Sequence, residues 1–167
     1  MKPDKEKYYE AATRDLIATI EKMKMDKMPR IRAKNLVRLF RDSFKLPAVK
    51  FDTFWTDLDV DMDKFTYDSD GFCRASSVDF ALMMGGEPDW KLMYIDKLWT
   101  YGPHHYLLHV PSKTILDLTY DQYTNAGMTV PYWLGKPIEM KFEEKRVEGR
   151  FAKALQLTPL LENNQKD

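Results

Sequence analysis

The chain of 167 residues contains a single cysteine, Cys73. One thiol excludes an intramolecular disulfide and a zinc site built from several cysteines. No apolar run approaches the roughly 20 residues that a membrane span requires, so no membrane partner is expected. The opening Met1-Lys2-Pro3-Asp4-Lys5 is charged and lacks the apolar stretch of a secretory signal, which makes the cytoplasm the default expectation. Net charge is absent too, with 26 Lys and Arg against 26 Asp and Glu. That balance argues against a protein that coats nucleic acid. There is no internal repeat and no low-complexity tract. What is present, 44% hydrophobic and 31% charged residues, suits one folded domain over residues 1–167.

The zero charge hides an uneven distribution. Residues 1–45 hold 13 Lys and Arg against 7 Asp and Glu, whereas residues 51–96 hold 3 against 11. A basic head and an acidic middle can attract each other within one molecule, and basic clusters alone are weak evidence for a nucleic-acid partner.

Asp4 is placed to cap a first helix. Tyr9, Ala12, Leu16, Ile20 and Met23 then recur at three- and four-residue spacing. Pro29 interrupts. A second helix follows with Ile31, Leu36, Leu39, Phe40 and Phe44 on its apolar side and Arg and Lys on the other, and Pro47 ends it. Residues 1–47 therefore read as a helical hairpin, ahead of a core at 68–160. Between them Asp57, Asp59, Asp61 and Asp63 alternate with Leu58, Val60 and Met62. The pattern is similar to the start of a calcium loop, but Met62 or Lys64 stands where that loop needs glycine, and no glutamate closes it. A solvated loop or an edge strand is the expectation.

Asp68-Ser69-Asp70-Gly71 is turn chemistry. Cys73 to Met84 suits a helix stopped by Gly85 and Gly86. Trp90 to Ile95, His105 to Val110 and Thr114 to Leu118 suit strands. Pro111-Ser112-Lys113 is short enough to join the last two as an antiparallel hairpin. A final helix is expected from about Glu144 to Gln156, followed by a frayed tail from Leu161. The fold class is α+β, a cysteine-bearing helix on a small antiparallel sheet.

The chemistry lies in the order cysteine, histidine, aspartate. A cysteine at a helix N-terminus feels the positive end of the macrodipole, which favours thiolate. Acyl transfer needs an imidazole to take and return a proton, and a carboxylate to orient that imidazole. With a three-residue turn, His105 and Asp117 fall on one face of paired strands. His104 then points to the opposite face, and His109 lies about 13 Å along the strand at ~3.3 Å per residue. That separation also disfavours a metal site, and no cofactor is expected.

Gly71-Phe72-Cys73-Arg74-Ala75-Ser76, Gly85-Gly86-Glu87, His105-Tyr106-Leu107 and Ile115-Leu116-Asp117-Leu118-Thr119-Tyr120-Asp121-Gln122-Tyr123 form one ordered pattern. It is similar to that of the YunG-like bacterial proteins, and it resembles the wider transglutaminase-like and papain-like superfamily of cysteine hydrolases. The resemblance covers about residues 70–125. It implies a papain-like core in which Cys73 is the nucleophile, His105 the general base and acid, and Asp117 the orienting carboxylate. Gly71, Tyr106 and Gln122 are substrate-binding or supporting positions, with Gln122 bracing the hairpin or helping to position a substrate. The chain departs from papain-like proteases in having no glutamine just before the cysteine, so the oxyanion site needs the Cys73 backbone N–H and a second donor. Asp68 and Asp70 also lie near the thiol in sequence, where negative charge opposes ionisation. The expected function is a hydrolase or acyltransferase acting on an amide, isopeptide or thioester of a protein, a peptide or a small amide. The alternative is an inactive relative that serves as a protein-interaction module, for which Tyr123, Tyr132 and Trp133 would supply an aromatic surface; the same residues equally suit a loop folded over the active site.

Overall fold

In the computed structural model, residues 4–54, 68–98 and 102–165 are described. The aspartate alternation from Asp57 to Asp63 lies outside them. Helix α1 (Lys5–Glu21) begins where the Asp4 side chain accepts from the Lys7 N–H at 3.2 Å. It buries Tyr9, Ala12, Leu16 and Ile20, as their spacing dictates. Helix α2 (Lys27–Phe44) contains Pro29 instead of being interrupted by it. A proline in the first turn is tolerated because the N–H groups there have no intrahelical partner.

Two features of α2 overturn expectation. Ile31 and Leu39 are exposed, at 38% and 43%. Arg41, expected on the solvated face, is fully buried. Its guanidinium makes paired bonds to Asp121, Nη1–Oδ1 at 2.7 Å and Nη2–Oδ2 at 3.0 Å. It also donates to the carbonyls of Leu118 and Tyr9 and to Thr13 Oγ1, and lies 3.9 Å from the centre of the Tyr9 ring. Every donor of the fork therefore has a partner, which is what allows a buried arginine. Pro47 ends α2 only to open α3 (Pro47–Phe54).

Helix α4 (Cys73–Met83) packs against strands β1 (Trp90–Ile95) and β2 (His104–His109). Strand β3 (Thr114–Leu116) is followed by the short helix α5 (Asp121–Thr124), and β4 (Lys136–Ile138) completes an antiparallel sheet in the order β3-β2-β1-β4. Helix α6 (Val147–Ala154) is shorter than expected, and α7 (Thr158–Gln165) stands where a frayed tail was expected, with Leu161 fully buried. The architecture is α+β. No helix among the described residues is long and apolar enough to cross a membrane.

The main core lies between the helices and one face of the sheet. Phe72 stacks on Phe44 at 4.5 Å, Phe40 meets Phe151 edge-on at 5.2 Å, and Phe80 meets Trp90 at 5.3 Å. A second cluster of Ile95, Leu98, Tyr106, Tyr123 and Val130 covers the other face. Strand β2 is thus buried on both sides, so His104 and His105 are both enclosed although they point in opposite directions.

The register of the β2–β3 hairpin differs from the expected one. Leu107 lies opposite Leu116 and His109 opposite Thr114. The loop is therefore Val110 to Lys113, one residue longer than the expected Pro111–Lys113. The Lys113 N–H bonds the Val110 carbonyl at 3.2 Å, and Lys113 takes a left-handed conformation, φ 51°. Ser112 Oγ bonds His109 Nδ1 at 2.8 Å and accepts the Lys24 N–H at 2.6 Å, tying the loop to the segment after α1.

The Arg41–Asp121 pair sets a stability test. Replacing Arg41 with Met leaves Asp121 buried without its cation and is expected to cost about 3–5 kcal/mol in urea unfolding. Adding Asp121→Leu is expected to recover most of that loss. A single variant as stable as wild type would contradict the role given to this pair.

Candidate active site

Cys73 opens α4 after a turn at Asp68–Gly71, in which Gly71 adopts φ 84°. Such a conformation favours glycine. The fully buried Phe72 anchors the turn to the core, and Cys73 itself is half-buried. The thiol therefore sits at the positive end of a helix.

The longer hairpin loop decides which imidazole meets Asp117. Continuing the observed register sets Asp117 opposite Tyr106, on the face that carries His104. His105 points to the other face. The expected contact between His105 and Asp117 is therefore not formed, because a one-residue slip moves a side chain across the sheet. His104 Nε2 instead lies 2.7 Å from Asp117 Oδ2. Tyr132 donates its hydroxyl to the same oxygen at 2.8 Å, and the Thr119 N–H reaches Oδ1 at 3.3 Å. The His104 ring is fully buried, with Tyr123 edge-on at 4.7 Å. Its other nitrogen, Nδ1, makes no hydrogen bond among the described residues.

His105 also faces Cys73, with Nδ1 3.8 Å from Sγ. Its Nε2 lies 3.4 Å from the Arg74 guanidinium, and Arg74 in turn is 3.4 Å from the buried Glu148. His109 plays no part in this cluster and packs on Trp90 at 4.6 Å.

Burial pushes the Cys73 thiol up, but His104 and then His105 pull it down from its ordinary 9.0 to about 6. Burial also opposes the His104 cation, yet Asp117 and the Cys73 thiolate raise its pKa from 6.5 to about 10. Between those values the stable arrangement is thiolate beside imidazolium. His104 and Cys73 are near enough to shift each other's proton affinity while His104 Nδ1 is left free to exchange a proton. The charges of Asp68 and Asp70 act on Lys50, Tyr9 and Tyr123, while the thiol is set mainly by burial and the two histidines.

The supporting positions have visible contacts. Gln122 donates to Thr119 Oγ1 at 2.9 Å, across the turn that follows Asp117. Tyr106 donates to the Tyr132 carbonyl at 2.8 Å, and a Cβ at Gly135 would collide with the Tyr106 hydroxyl. Close packing of Tyr106, Tyr132 and Gly135 thus holds the Tyr132 hydroxyl on Asp117. Tyr132, Arg74 and the pairing of His104 were missed by sequence reasoning. Tyr132 had a weak signal as one of several aromatics in its segment; Arg74 had only its place beside the cysteine. Among the described residues no group of three or more His, Cys, Asp or Glu is placed to hold a metal ion.

Comparison with protein-family models, with curated proteins and with solved structures found no match.

The His104–Asp117 pair can be tested by titration. Asp117→Asn removes the larger of the two charges that raise His104, leaving the Cys73 thiolate to raise it and burial to lower it. The His104 pKa, followed by NMR, is expected to fall from about 10 toward its ordinary 6.5, and Cys73 to climb from about 6 toward 9.0. An unchanged His104 titration would contradict the pairing.

Proposed function

We propose that this chain is a cysteine-dependent hydrolase or acyltransferase with a papain-like or transglutaminase-like core, acting on an amide, isopeptide or thioester bond. The observation that carries the reading is the His104–Asp117 pair at 2.7 Å, together with the mutual shift of His104 and the half-buried Cys73 thiol at the head of α4. The base in this reading is His104, since Asp117 orients that ring.

The steps follow from the charges. The Cys73 thiolate attacks the carbonyl carbon, a C–S bond forms, and the carbonyl π pair moves onto oxygen. The tetrahedral intermediate collapses as the imidazolium of His104 gives its proton to the departing amine or thiolate. Asp117 stabilises that imidazolium and holds its tautomer, with Tyr132 and the Thr119 N–H fixing the carboxylate. Water or an amine then adds to the thioester carbonyl while His104 takes its proton, and the second tetrahedral intermediate collapses with cleavage of the C–S bond, releasing the acid or new amide and restoring the Cys73 thiolate beside the imidazolium. The substrate class is a protein, a peptide or a small amide.

An interaction module that keeps the fold without catalysis is the second reading. It is favoured by Trp133 and Leu134, which are 79% and 55% exposed beside Tyr132.

Alkylation of Cys73 by iodoacetamide separates the two. For the enzyme, the rate is expected to rise through a midpoint near pH 6. In His104→Ala the midpoint is expected to move toward ~8.5, which lowers the rate at pH 7 about thirtyfold. A wild-type rate that follows an ordinary thiol would favour the interaction module.

A further inference from the structure

We propose that His105 is the side-chain donor to the oxyanion, held in its donating tautomer by Arg74; the inference rests on the acyl-transfer reading above. Two imidazoles act on one thiol, and His104 has the carboxylate of Asp117 behind it. His105 is backed by a guanidinium, with Arg74 Nη1 3.4 Å from Nε2. Arginine has donors and no acceptor. The contact is a hydrogen bond only if Nε2 of His105 presents its lone pair. A proton on Nε2 would set two donors against each other. The single ring proton therefore sits on Nδ1, and Nδ1 is the atom that faces Cys73 Sγ at 3.8 Å.

A nitrogen that already carries its proton cannot accept one from the nucleophile or from water. It can donate to whatever negative charge develops beside the sulfur. In the resting site that charge is the thiolate. When Sγ bonds to the carbonyl carbon, the charge moves to the carbonyl oxygen, which the Nδ1–H of His105 can follow. No proton leaves His105 during the step; the proton given to the leaving group comes from His104. The N–H groups of the first turn of α4 lie at the same helix end and supply the backbone share of the site.

Arg74 is a positioning residue. Its guanidinium lies between His105 and Glu148, whose carboxylate is fully buried in the α4–α6 contact. The tautomer of His105 is thereby tied to the packing of α6 on α4. Sequence comparison with papain-like proteases leaves the second oxyanion donor unassigned, because no glutamine precedes Cys73. His105 fills that role from the sheet instead.

The test uses the intact chain and two reagents, p-nitrophenyl acetate and iodoacetamide. The ester acetylates Cys73 through an oxyanion and expels p-nitrophenolate, which needs no proton from His104. Iodoacetamide alkylates the thiolate with no oxyanion at all. Each is compared on its high-pH plateau, where the thiol is fully ionised. In His105→Ala acetylation is expected to fall about 10²–10³-fold, with alkylation changed less than about threefold. His105→Gln, which keeps an N–H donor and has no base, is expected to recover to within about tenfold of wild type. In wild type, the ring nitrogens of His105 are expected to show protonated Nδ1 and bare Nε2 by NMR. Arg74→Met is expected to shift that population toward protonated Nε2. Equal loss of both reactions in His105→Ala, loss of neither, no recovery in His105→Gln, or a protonated Nε2 in wild type would overturn the proposal. A wild-type chain that no activated ester acetylates would overturn the acyl-transfer reading itself, and this proposal with it.

Discussion

The β2–β3 register is the constraint on which the candidate site depends. Four residues, Val110 to Lys113, separate His109 from Thr114, and this count places Asp117 on the side of His104. A loop one residue shorter would carry Asp117 to the side of His105 and leave His104 buried without a counter-charge. The loop is held by more than its own backbone. Ser112 is clamped between His109 and the Lys24 N–H, so a histidine with no contact to the thiol still helps set which histidine meets the carboxylate.

The far end of the hairpin is fastened by Arg41. Its bond to the Leu118 carbonyl and its fork onto Asp121 tie the residues just after Asp117 to α1 and α2. On the opposite face, Tyr106, Tyr132 and Gly135 press the Tyr132 hydroxyl onto Asp117. The carboxylate is therefore restrained from both sides. That restraint matters for the His104 charge because a buried imidazole stays charged only while its partner stays in place. The N-terminal helices thus form part of the wall that positions the site.

Much of the fold could be read from local pattern. The apolar spacing of α1, the limits of α4 and the extent of β1 are all properties of short segments, as is the place of Cys73 at a helix start. What escaped reading depended on distant partners or on loop geometry. Arg41 looked like part of a solvated face because its partner Asp121 lies 80 positions away. Leu161 looked like part of a frayed tail because the surface that buries it comes from other elements. The hairpin loop carries no glycine to announce its left-handed residue; Lys113 adopts that conformation instead. The loop was thus read one residue short, and the pairing of the two adjacent histidines was exchanged. The three residue types needed for the chemistry were visible, whereas their connectivity was decided by one turn.

Two adjacent histidines on one strand hold opposite roles in this account because they face opposite sides of the sheet. One is backed by a carboxylate and exchanges protons; the other is backed by a guanidinium and donates. The most direct test of the central claim, that Asp117 acts on Cys73 through His104, is a pair of double-mutant cycles. The Cys73 pKa is read from thiolate absorbance near 240 nm, a clean signal near pH 6 because the chain has one cysteine. The cycle of His104→Ala with Asp117→Asn is predicted to be strongly non-additive, the second change adding little once the first is made. The cycle of His105→Ala with Asp117→Asn is predicted to be nearly additive. Additivity in the first cycle and coupling in the second would contradict the account.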